Sequence, residues 1–237
     1  MGGIGDNLQA VRARMAAAAL AANRDPSSIG LLAVSKTFGA EAVIAARAAG
    51  QRAFGESYLQ EAVDKIAQVA DPGIEWHFIG PLQSNKTRPV AEHFDWVHSV
   101  SSLKIARRLS DQRPANRGPL SVCLQVNVSG EATKAGISEA ELPALARDVA
   151  SLPGLLLRGL MCIPAPAEGF DARRVPFAEL ARMQERLLAA GIALDTLSMG
   201  MSDDLEAAIA EGATWVRVGA AIFGDRTARA TIDAVSA

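Results

Sequence analysis

Short apolar runs alternate with amphipathic stretches along nearly the whole of this 237-residue chain. The apolar runs predict eight strands, at 30–36, 51–55, 75–80, 95–99, 120–128, 155–161, 194–198 and 214–219. The amphipathic stretches predict helices at 6–22 and near 40–49, 58–69, 84–92, 102–112, 138–151, 173–190 and 202–211. Because parallel neighbours in a sheet need a crossover connection, the alternation predicts an α/β fold with a parallel sheet. Eight units favour closure into a (β/α)8 TIM barrel, with an open doubly wound sheet as the alternative.

The chain shows no linker between two domains. It also lacks a Gly-x-Gly-x-x-Gly after the first strand, the signature of a dinucleotide-binding Rossmann unit. We therefore predict a single (β/α)8 barrel domain over 1–237, in which residues 1–25 supply an extra N-terminal helix packed on the barrel. The segments 113–119 and 164–176, rich in Pro, Gly and charge, are predicted surface loops.

Charge and apolar content restrict the class of partner. A formal net charge of −2 leaves no basic surplus for a phosphate backbone, which argues against a nucleic-acid binder. No apolar run approaches the roughly 20 residues of a membrane span, and residues 1–6 carry no secretion signal. Cys123 and Cys162 lie in apolar runs and are predicted to be buried free thiols. We expect a cytoplasmic protein that binds neither nucleic acid nor a membrane.

Lys36 closes the apolar run that begins at Gly30, where a buried strand gives way to a helix. At the end of a barrel strand, burial favours the neutral amine, which is a nucleophile toward aldehydes although the reference pKa of lysine is roughly 10.4. Lys134, in the loop after the fifth strand, is the rival nucleophile, but its polar neighbours predict an ordinary solvated amine. We therefore expect Lys36 to form an imine.

Two glycine-bearing turns, Ser198-Met-Gly-Met-Ser202 and Arg217-Val-Gly-Ala-Ala-Ile-Phe-Gly224, follow the seventh and eighth strands. Barrels often bind phosphate with these two loops and a short helix N-terminus. Gly200 and Gly219 allow backbone N–H groups to approach an oxygen closely. Either glycine alone is adequately explained by a turn, but strands eight and one are neighbours in a closed barrel, which places both turns beside Lys36. A lysine next to a phosphate site predicts a phosphorylated aldehyde, of which pyridoxal 5′-phosphate (PLP) is the commonest.

Arg217 lies in an otherwise apolar strand, so an inward guanidinium needs a carboxylate or a ligand acceptor. Two interpretations stay open: donation to a pyridine nitrogen, which leaves that nitrogen unprotonated, or a structural salt bridge with Glu56. His77 at a strand start is more typical of a hydrogen-bonded packing residue than of an acid or base. His93 and His98 have no Cys or carboxylate at ligand spacing, so no metal site is expected.

Many segments closely resemble the pyridoxal phosphate homeostasis protein family (the YggS/PROSC type), in family order and over nearly the full length. The matching segments are Ala33-Val-Ser-Lys-Thr37, Phe54-Gly-Glu-Ser-Tyr58 with Gln60-Glu61, His77-Phe-Ile-Gly-Pro-Leu-Gln-Ser-Asn-Lys86, His98-Ser99, Gln125-Val-Asn127 with Lys134-Ala-Gly136, Gly159-Leu-Met161, Ser198-Met-Gly-Met-Ser-Asp203, and Arg217-Val-Gly219 with Ile222-Phe-Gly224. The resemblance implies the barrel shared with alanine racemase, Lys36 carrying PLP as an internal aldimine, and Arg217 near the pyridine nitrogen. The cofactor-binding set that it implies is Lys36, Ser57, Met161, Ser198, Met199, Gly200, Arg217, Gly219 and Ala220.

Two positions depart from the family pattern. Ala220 stands where the family usually has Thr or Ser, which removes a hydroxyl from the phosphate site. Because backbone donors remain, we expect somewhat weaker cofactor binding rather than none. Ser57 replaces the asparagine of Phe-Gly-Glu-Asn-Tyr, which puts a side-chain amide contact there in question.

The resemblance implies a protein that stores, delivers or buffers PLP and so affects amino-acid and keto-acid balance. Its expected partners are PLP and PLP-dependent apoenzymes, and it is expected to be a monomer or a weak homodimer. No catalytic residue is assigned, and a carrier is favoured over an enzyme. Two enzymatic alternatives stay open: a PLP-dependent amino-acid racemase of low activity, for which Tyr58 is the only tyrosine in the chain, and a Schiff-base aldolase acting on a phosphosugar.

Overall fold

Eight parallel strands close into a barrel in sequence order in the computed structural model, which describes residues 2–130 and 135–224. The strands are β1 (Gly30–Val34), β2 (Ala53–Glu56), β3 (Glu75–Phe78), β4 (Trp96–Val100), β5 (Leu120–Gln125), β6 (Leu155–Met161), β7 (Thr196–Ser198) and β8 (Trp215–Val218). Each strand pairs in parallel with the next, and β8 pairs with β1 to complete the closure. The predicted TIM barrel is confirmed, and the open sheet is excluded.

Helices connect the strands and cover the outside of the barrel. They are α1 (Ile4–Ala21), α2 (Ala40–Ala48), α3 (Leu59–Val69), α4 (Thr87–His93), α5 (Leu103–Gln112), α6 (Leu142–Ala150), α7 (Phe170–Ala189), α8 (Leu205–Ala210) and α9 (Ala220–Phe223). The start of α7 is earlier than predicted, directly after Gly169 (φ 82°), so part of the predicted 164–176 loop is helical. The start of α8 is later, because Asp204 Oδ1 accepts the N–H of Met201 (2.6 Å) and closes a turn first.

The strands are buried on both faces, which explains why they appear in the sequence as continuous apolar runs. Outward side chains such as Phe54 and Val97 join the helices in one large apolar cluster. Inward side chains of β4, β5 and β6 form a separate cluster of Trp96, Cys123 and Met161 inside the barrel. Both cysteines of the chain are buried free thiols, as predicted.

The pairing of β8 with β1 brings the first and last strands of the barrel together. Gly30 lies opposite Trp215 and Ala33 opposite Val218. A Cβ on Gly30 would lie 2.5 Å from the Trp215 ring, so only glycine fits beside that indole. The C-terminal end of β1, which leads into Lys36, therefore lies at the same rim of the barrel as the end of β8.

The N-terminal helix α1 packs on α8 and α9. Leu8, Val11 and Met15 are buried on one face of it. The side-chain amide of Asn7 donates to the carbonyl of Ile222 (2.9 Å), so α1 also fixes the short helix that follows β8. Within residues 2–130 and 135–224, no helix combines the length and the apolar character that a membrane crossing requires.

Candidate functional site

Lys36 lies in the turn that follows β1 and is half-buried. The next residue, Thr37, has a φ of 71°, a left-handed conformation that a β-branched residue rarely adopts. Its N–H donates to Glu61 Oε1 (2.7 Å), and the same oxygen accepts from Nζ of Lys65 (2.9 Å). Backbone strain of this kind persists only where surrounding contacts fix it, and it concentrates at functional sites. Helix α3, which carries both Glu61 and Lys65, thus holds the backbone beside Lys36 in one conformation.

Lys65 is the centre of a buried cluster on the helix side of the sheet. Its side chain is 3% exposed and donates to the carbonyl of Ser35 (2.9 Å) and to Glu56 Oε1 (2.6 Å). The Ser35 hydroxyl donates to the same Glu56 oxygen (2.7 Å), whereas Glu56 Oε2 has no hydrogen-bond partner in the described part of the chain. Burial raises the pKa of Glu56, and the Lys65 ammonium and the Ser35 hydroxyl oppose that shift. We call Ser35, Glu56, Glu61 and Lys65 the clamp.

The clamp was not found from the sequence. The available signal was the spacing of four residues between Glu61 and Lys65, which places them on one face of a helix. That spacing is common on solvated helix surfaces, so it does not by itself indicate a buried ammonium.

A salt bridge between Arg217 and Glu56, one of the two interpretations that the sequence left open, is wrong. Glu56 lies on the helix side of the sheet with Lys65, whereas Arg217 lies inside the barrel and is 4% exposed. The guanidinium donates from Nη1 to Ser198 Oγ (2.9 Å) and from Nη2 to the carbonyl of Cys162 (2.9 Å). Successive side chains of a strand point to opposite faces, and these two side chains lie on opposite faces of the same closed sheet.

The two glycine turns meet at the rim beside β1. Gly200 has a φ of 91°, and its carbonyl accepts the N–H of Arg217 (2.9 Å), which ties the turn after β7 to β8. A Cβ on Gly200 would lie 2.5 Å from the Cβ of Ala208. A Cβ on Gly219 would lie 3.1 Å from the carbonyl oxygen of Val34, near the end of β1. The structure therefore places the turn after β8 directly beside the end of β1, and the turn after β7 one strand further around the same rim.

The remaining predicted positions take different places. Met161 lies opposite Ser198 in the β6–β7 register and belongs to the interior cluster. Met199 is buried in the helix-side cluster, so its side chain points away from the barrel interior. Ser57 follows β2, with its backbone packed against Gly80 after the next strand. Of these positions, Ser198 bonds Arg217 directly, Met161 lies on the far side of Ser198 from Arg217, and Ser57 lies on the opposite side of β1 from the glycine turns.

The hydroxyl groups near the two turns differ in availability. Ser198 Oγ accepts from Arg217 and lies 2.7 Å from Nδ1 of His98, so its hydrogen-bonding capacity is taken up by residues inside the barrel. Ser202 is half-buried, and its Oγ makes no hydrogen bond within residues 2–130 and 135–224. Ala220, the first residue of α9, has no hydroxyl. Ser198 and not Ser202 was the serine expected to contact the cofactor, because only the structure shows which hydroxyl is already bonded.

A chain of hydrogen bonds runs through the barrel interior. Glu75 Oε1 lies 2.7 Å from Nε2 of His77, and Nδ1 of His77 lies 2.8 Å from Nε2 of His98. The other ring nitrogen of His98 contacts Ser198 Oγ, which accepts from Arg217. We call Glu75, His77, His98, Ser198 and Arg217 the interior chain. The pairing of the two histidines was not predicted. The available signal was the alternation of side-chain directions along β3 and β4, which places 75 and 77, or 96 and 98, on a common face.

Burial sets the protonation of the interior chain. It lowers the pKa of His77, although Glu75 opposes the shift, and the hydrogen bond from His77 lowers the pKa of Glu75. The pKa of His98 lies well below its usual value because of burial, with smaller contributions from His77 and from the Arg217 guanidinium. Two neutral imidazoles therefore connect a cation and an anion.

The other candidates considered from the sequence are a second lysine, a tyrosine and a metal site. Lys134, the rival nucleophile, is outside the described residues. Tyr58 precedes α3 and is 52% exposed. In the described ranges, no group of three or more His, Cys, Asp or Glu side chains is arranged to hold a metal ion.

Comparisons with known proteins agree on one family. Residues 7–227 match the family model of the alanine racemase N-terminal domain. The pyridoxal phosphate homeostasis protein of Pseudomonas aeruginosa is 62% identical over 226 residues, which cover 95% of this chain and 97% of that protein. That of Escherichia coli K12 is 55% identical over 234 residues, covering 95% of this chain and 98% of that protein. PipY of Synechococcus elongatus PCC7942, solved with PLP bound, is 39% identical, with a TM-score of 0.82 over 93% of this chain and 100% of that one.

Proposed function

This chain belongs to the pyridoxal phosphate homeostasis protein family, and we propose that it binds PLP at the C-terminal rim of its barrel and stores, delivers or buffers the cofactor. The observation that carries this proposal is the position of both glycine turns at the barrel rim where β1 ends, two residues before Lys36. The PLP bound to PipY supports the same ligand for this chain. Recipient apoenzymes and a cytoplasmic location stay predictions.

Lys36 supplies the primary amine that reacts with the aldehyde of PLP in this proposal. Bound PLP supplies an aldehyde that condenses reversibly with a primary amine. The clamp fixes the backbone on both sides of Lys36, because Lys65 holds the carbonyl of Ser35 and Glu61 holds the N–H of Thr37. A fixed backbone restricts the positions that the amine can reach, which lowers the entropy lost when it meets the aldehyde.

The two turns fit a phosphate group. Gly200 and Gly219 let the two turns pack closely, against Ala208 of α8 and against the end of β1, and the first N–H groups of α9 lie directly after Gly219. The Ser202 hydroxyl is available as a side-chain donor, whereas Ala220 supplies none. We therefore assign the phosphate contacts to the backbone of both turns and to Ser202.

Arg217 is the residue that donates a hydrogen bond to the pyridine nitrogen of PLP in this proposal. A guanidinium carries five N–H donors, and its bonds to Ser198 and to the carbonyl of Cys162 leave others for an acceptor. Because arginine stays protonated, it donates to the ring nitrogen and leaves that nitrogen without a proton, which weakens the ring as an electron sink. This favours a carrier over an amino-acid-transforming enzyme.

Borohydride trapping tests the binding site. The purified protein, incubated with PLP, should absorb in the visible range, and after reduction the pyridoxyl group should map to the peptide that contains Lys36. A Lys36→Ala variant should lose the band while keeping its circular dichroism spectrum. Lys86→Ala, at an exposed lysine after β3, is the matched control and should keep the band. An adduct on Lys134, or an unchanged band in Lys36→Ala, would contradict the assignment.

A second experiment separates carrier from enzyme. The loaded protein should reactivate a PLP-dependent apoenzyme in a buffer without free PLP, and it should not exchange the Cα hydrogen of L- or D-alanine with deuterium from D2O. Steady exchange without transfer would support the racemase alternative. A protein that binds no PLP but cleaves a phosphosugar would support the aldolase alternative.

A further inference from the structure

The interior chain has one consistent direction of donation. Arg217 can only donate, so the Ser198 oxygen accepts from it. At the other end the Glu75 carboxylate can only accept, so Nε2 of His77 carries a proton. A neutral His77 then accepts at Nδ1 the Nε2–H of His98, and a neutral His98 accepts at Nδ1 the hydroxyl proton of Ser198. Both rings are therefore in the Nε2–H tautomer, and every bond has one donor and one acceptor.

This direction connects a buried cation with an anion at the opposite end of the barrel. Arg217 is 4% exposed, and none of the described carboxylates forms an ion pair with it. A buried guanidinium without a compensating charge is unfavourable. Glu75 begins β3 at the N-terminal end of the barrel, and its side chain is 44% exposed. Hydrogen bonds in such a chain polarise one another, so the charge at one end strengthens the bonds at the other.

Other charged residues act on the two ends, but none of them replaces this connection. Asp204 acts on Arg217 through space and forms no hydrogen bond with it among the described residues. Arg158 and Arg52 act on Glu75 through space, and the Arg158 guanidinium is paired with Asp195 at 2.7 Å.

We propose that Glu75 is the remote counter-ion of Arg217 and that the interior chain orients the guanidinium toward the ring nitrogen of the cofactor. Glu75, His77, His98 and Ser198 are positioning residues in this arrangement. Because the only hydroxyl proton of Ser198 is donated to His98, Ser198 supports Arg217 and does not donate to the phosphate. The orientation toward the cofactor rests on the proposed function, whereas the direction of donation does not.

Histidine NMR tests the direction of donation without any cofactor. Two-bond ¹H–¹⁵N correlation spectra of the full-length protein, labelled with ¹⁵N-histidine, should show His77 and His98 as neutral Nε2–H tautomers. His93, which lies outside the interior chain, serves as the internal reference. An imidazolium or an Nδ1–H tautomer at either position would overturn the proposal.

A neutral amide at position 75 tests whether the interior chain transmits the charge of Glu75. Glu75→Gln keeps an acceptor oxygen and removes the charge, so the Nε2–H proton of His77 should move upfield, and that of His98 should follow in the same direction. Glu139→Gln is the matched control, because Glu139 forms an exposed ion pair with Arg186 away from the barrel interior. A chemical-shift change confined to His77 would show that the charge of Glu75 is not transmitted to His98 and would overturn the proposal.

PLP titration of the variants tests the connection with the site. Glu75→Gln and Ser198→Ala should each raise the Kd for PLP by about 2- to 12-fold, the range of one hydrogen bond. The double variant should raise it no more than the larger single change, because both changes break the same chain. If the two single changes in Kd multiply in the double variant, the proposal is overturned. It is also overturned if Asp204→Asn raises the Kd for PLP more than Glu75→Gln does while the histidine tautomers stay unchanged. Failure of the wild-type protein to bind PLP would refute the proposed function, and the histidine spectra would still decide the direction of donation.

Discussion

Replacing Lys65 by methionine removes the cation of the clamp and keeps a side chain of similar length. Lys65 is 3% exposed and Glu56 is 0% exposed, so the variant leaves a buried carboxylate whose remaining donor is the Ser35 hydroxyl at 2.7 Å. Breaking a buried ion pair from one side costs about 3–5 kcal/mol. The variant can instead protonate Glu56, which sets an upper limit on the loss of stability. Neutralising a carboxyl of ordinary pKa (about 4.3) at a pH of about 7.5 costs about 4.4 kcal/mol. We therefore expect a loss of about 3–4.4 kcal/mol in the free energy of unfolding.

The same reasoning predicts that acid reduces the defect of the Lys65→Met variant. At a pH of about 5.5 the protonation of Glu56 costs about 1.6 kcal/mol, so the loss relative to the wild type should shrink by up to about 2.7 kcal/mol. Urea unfolding at both pH values measures this difference. The variant should also bind PLP more weakly, because the strained turn at Thr37 loses part of its support.

Two controls separate the buried pair from the loss of a lysine. Lys104→Met, at an exposed position of α5, should change the free energy of unfolding by no more than about 0.5 kcal/mol. Adding Glu56→Gln to Lys65→Met should recover part of the stability, since the unpaired charge is gone. A loss below about 1 kcal/mol at neutral pH, or an equal loss at both pH values, would refute the reasoning about the clamp.

Three further changes give independent checks. Between a pH of about 7.5 and about 5.5 the wild type should lose stability, because the lowered pKa of buried His77 and His98 keeps them neutral while the unfolded chain gains protons below roughly 6.5. Each contributes at most about 1.4 kcal/mol, so urea unfolding of His98→Gln should show a shallower pH dependence. Ala220→Thr restores a hydroxyl at the phosphate site and should lower the Kd for PLP by about 2- to 12-fold in a fluorescence titration; an unchanged Kd would place that side chain away from the phosphate. Gly159→Ala would bring a Cβ into the carbonyl oxygen of Thr196, so a loss of about 1–3 kcal/mol is expected in thermal unfolding, and an unchanged Tm would contradict this close approach.

The barrel could be predicted because its evidence is local. Each strand is a short apolar run and each connection an amphipathic helix, so the order of elements is visible in the sequence, and the number of units favours closure. The placement of the turns that carry Gly200 and Gly219 at the rim where β1 ends also followed, because closure makes β8 the neighbour of β1. Helix starts were less accurate where a side chain closes a turn first, as Asp204 does before α8.

The sequence by itself determined the barrel, the rim on which Lys36 and the glycine turns lie, and the family. Only the tertiary structure decided which buried charge faces which: Glu56 pairs with Lys65 on the helix side, whereas Arg217 reaches Glu75 through the barrel interior. The physical reason is that a parallel sheet in a barrel is buried on both faces, so most of its strands are continuous apolar runs that do not separate inward from outward side chains. Which hydroxyl of the β7 turn is already bonded likewise depends on His98, a residue 100 positions away from Ser198 in the chain.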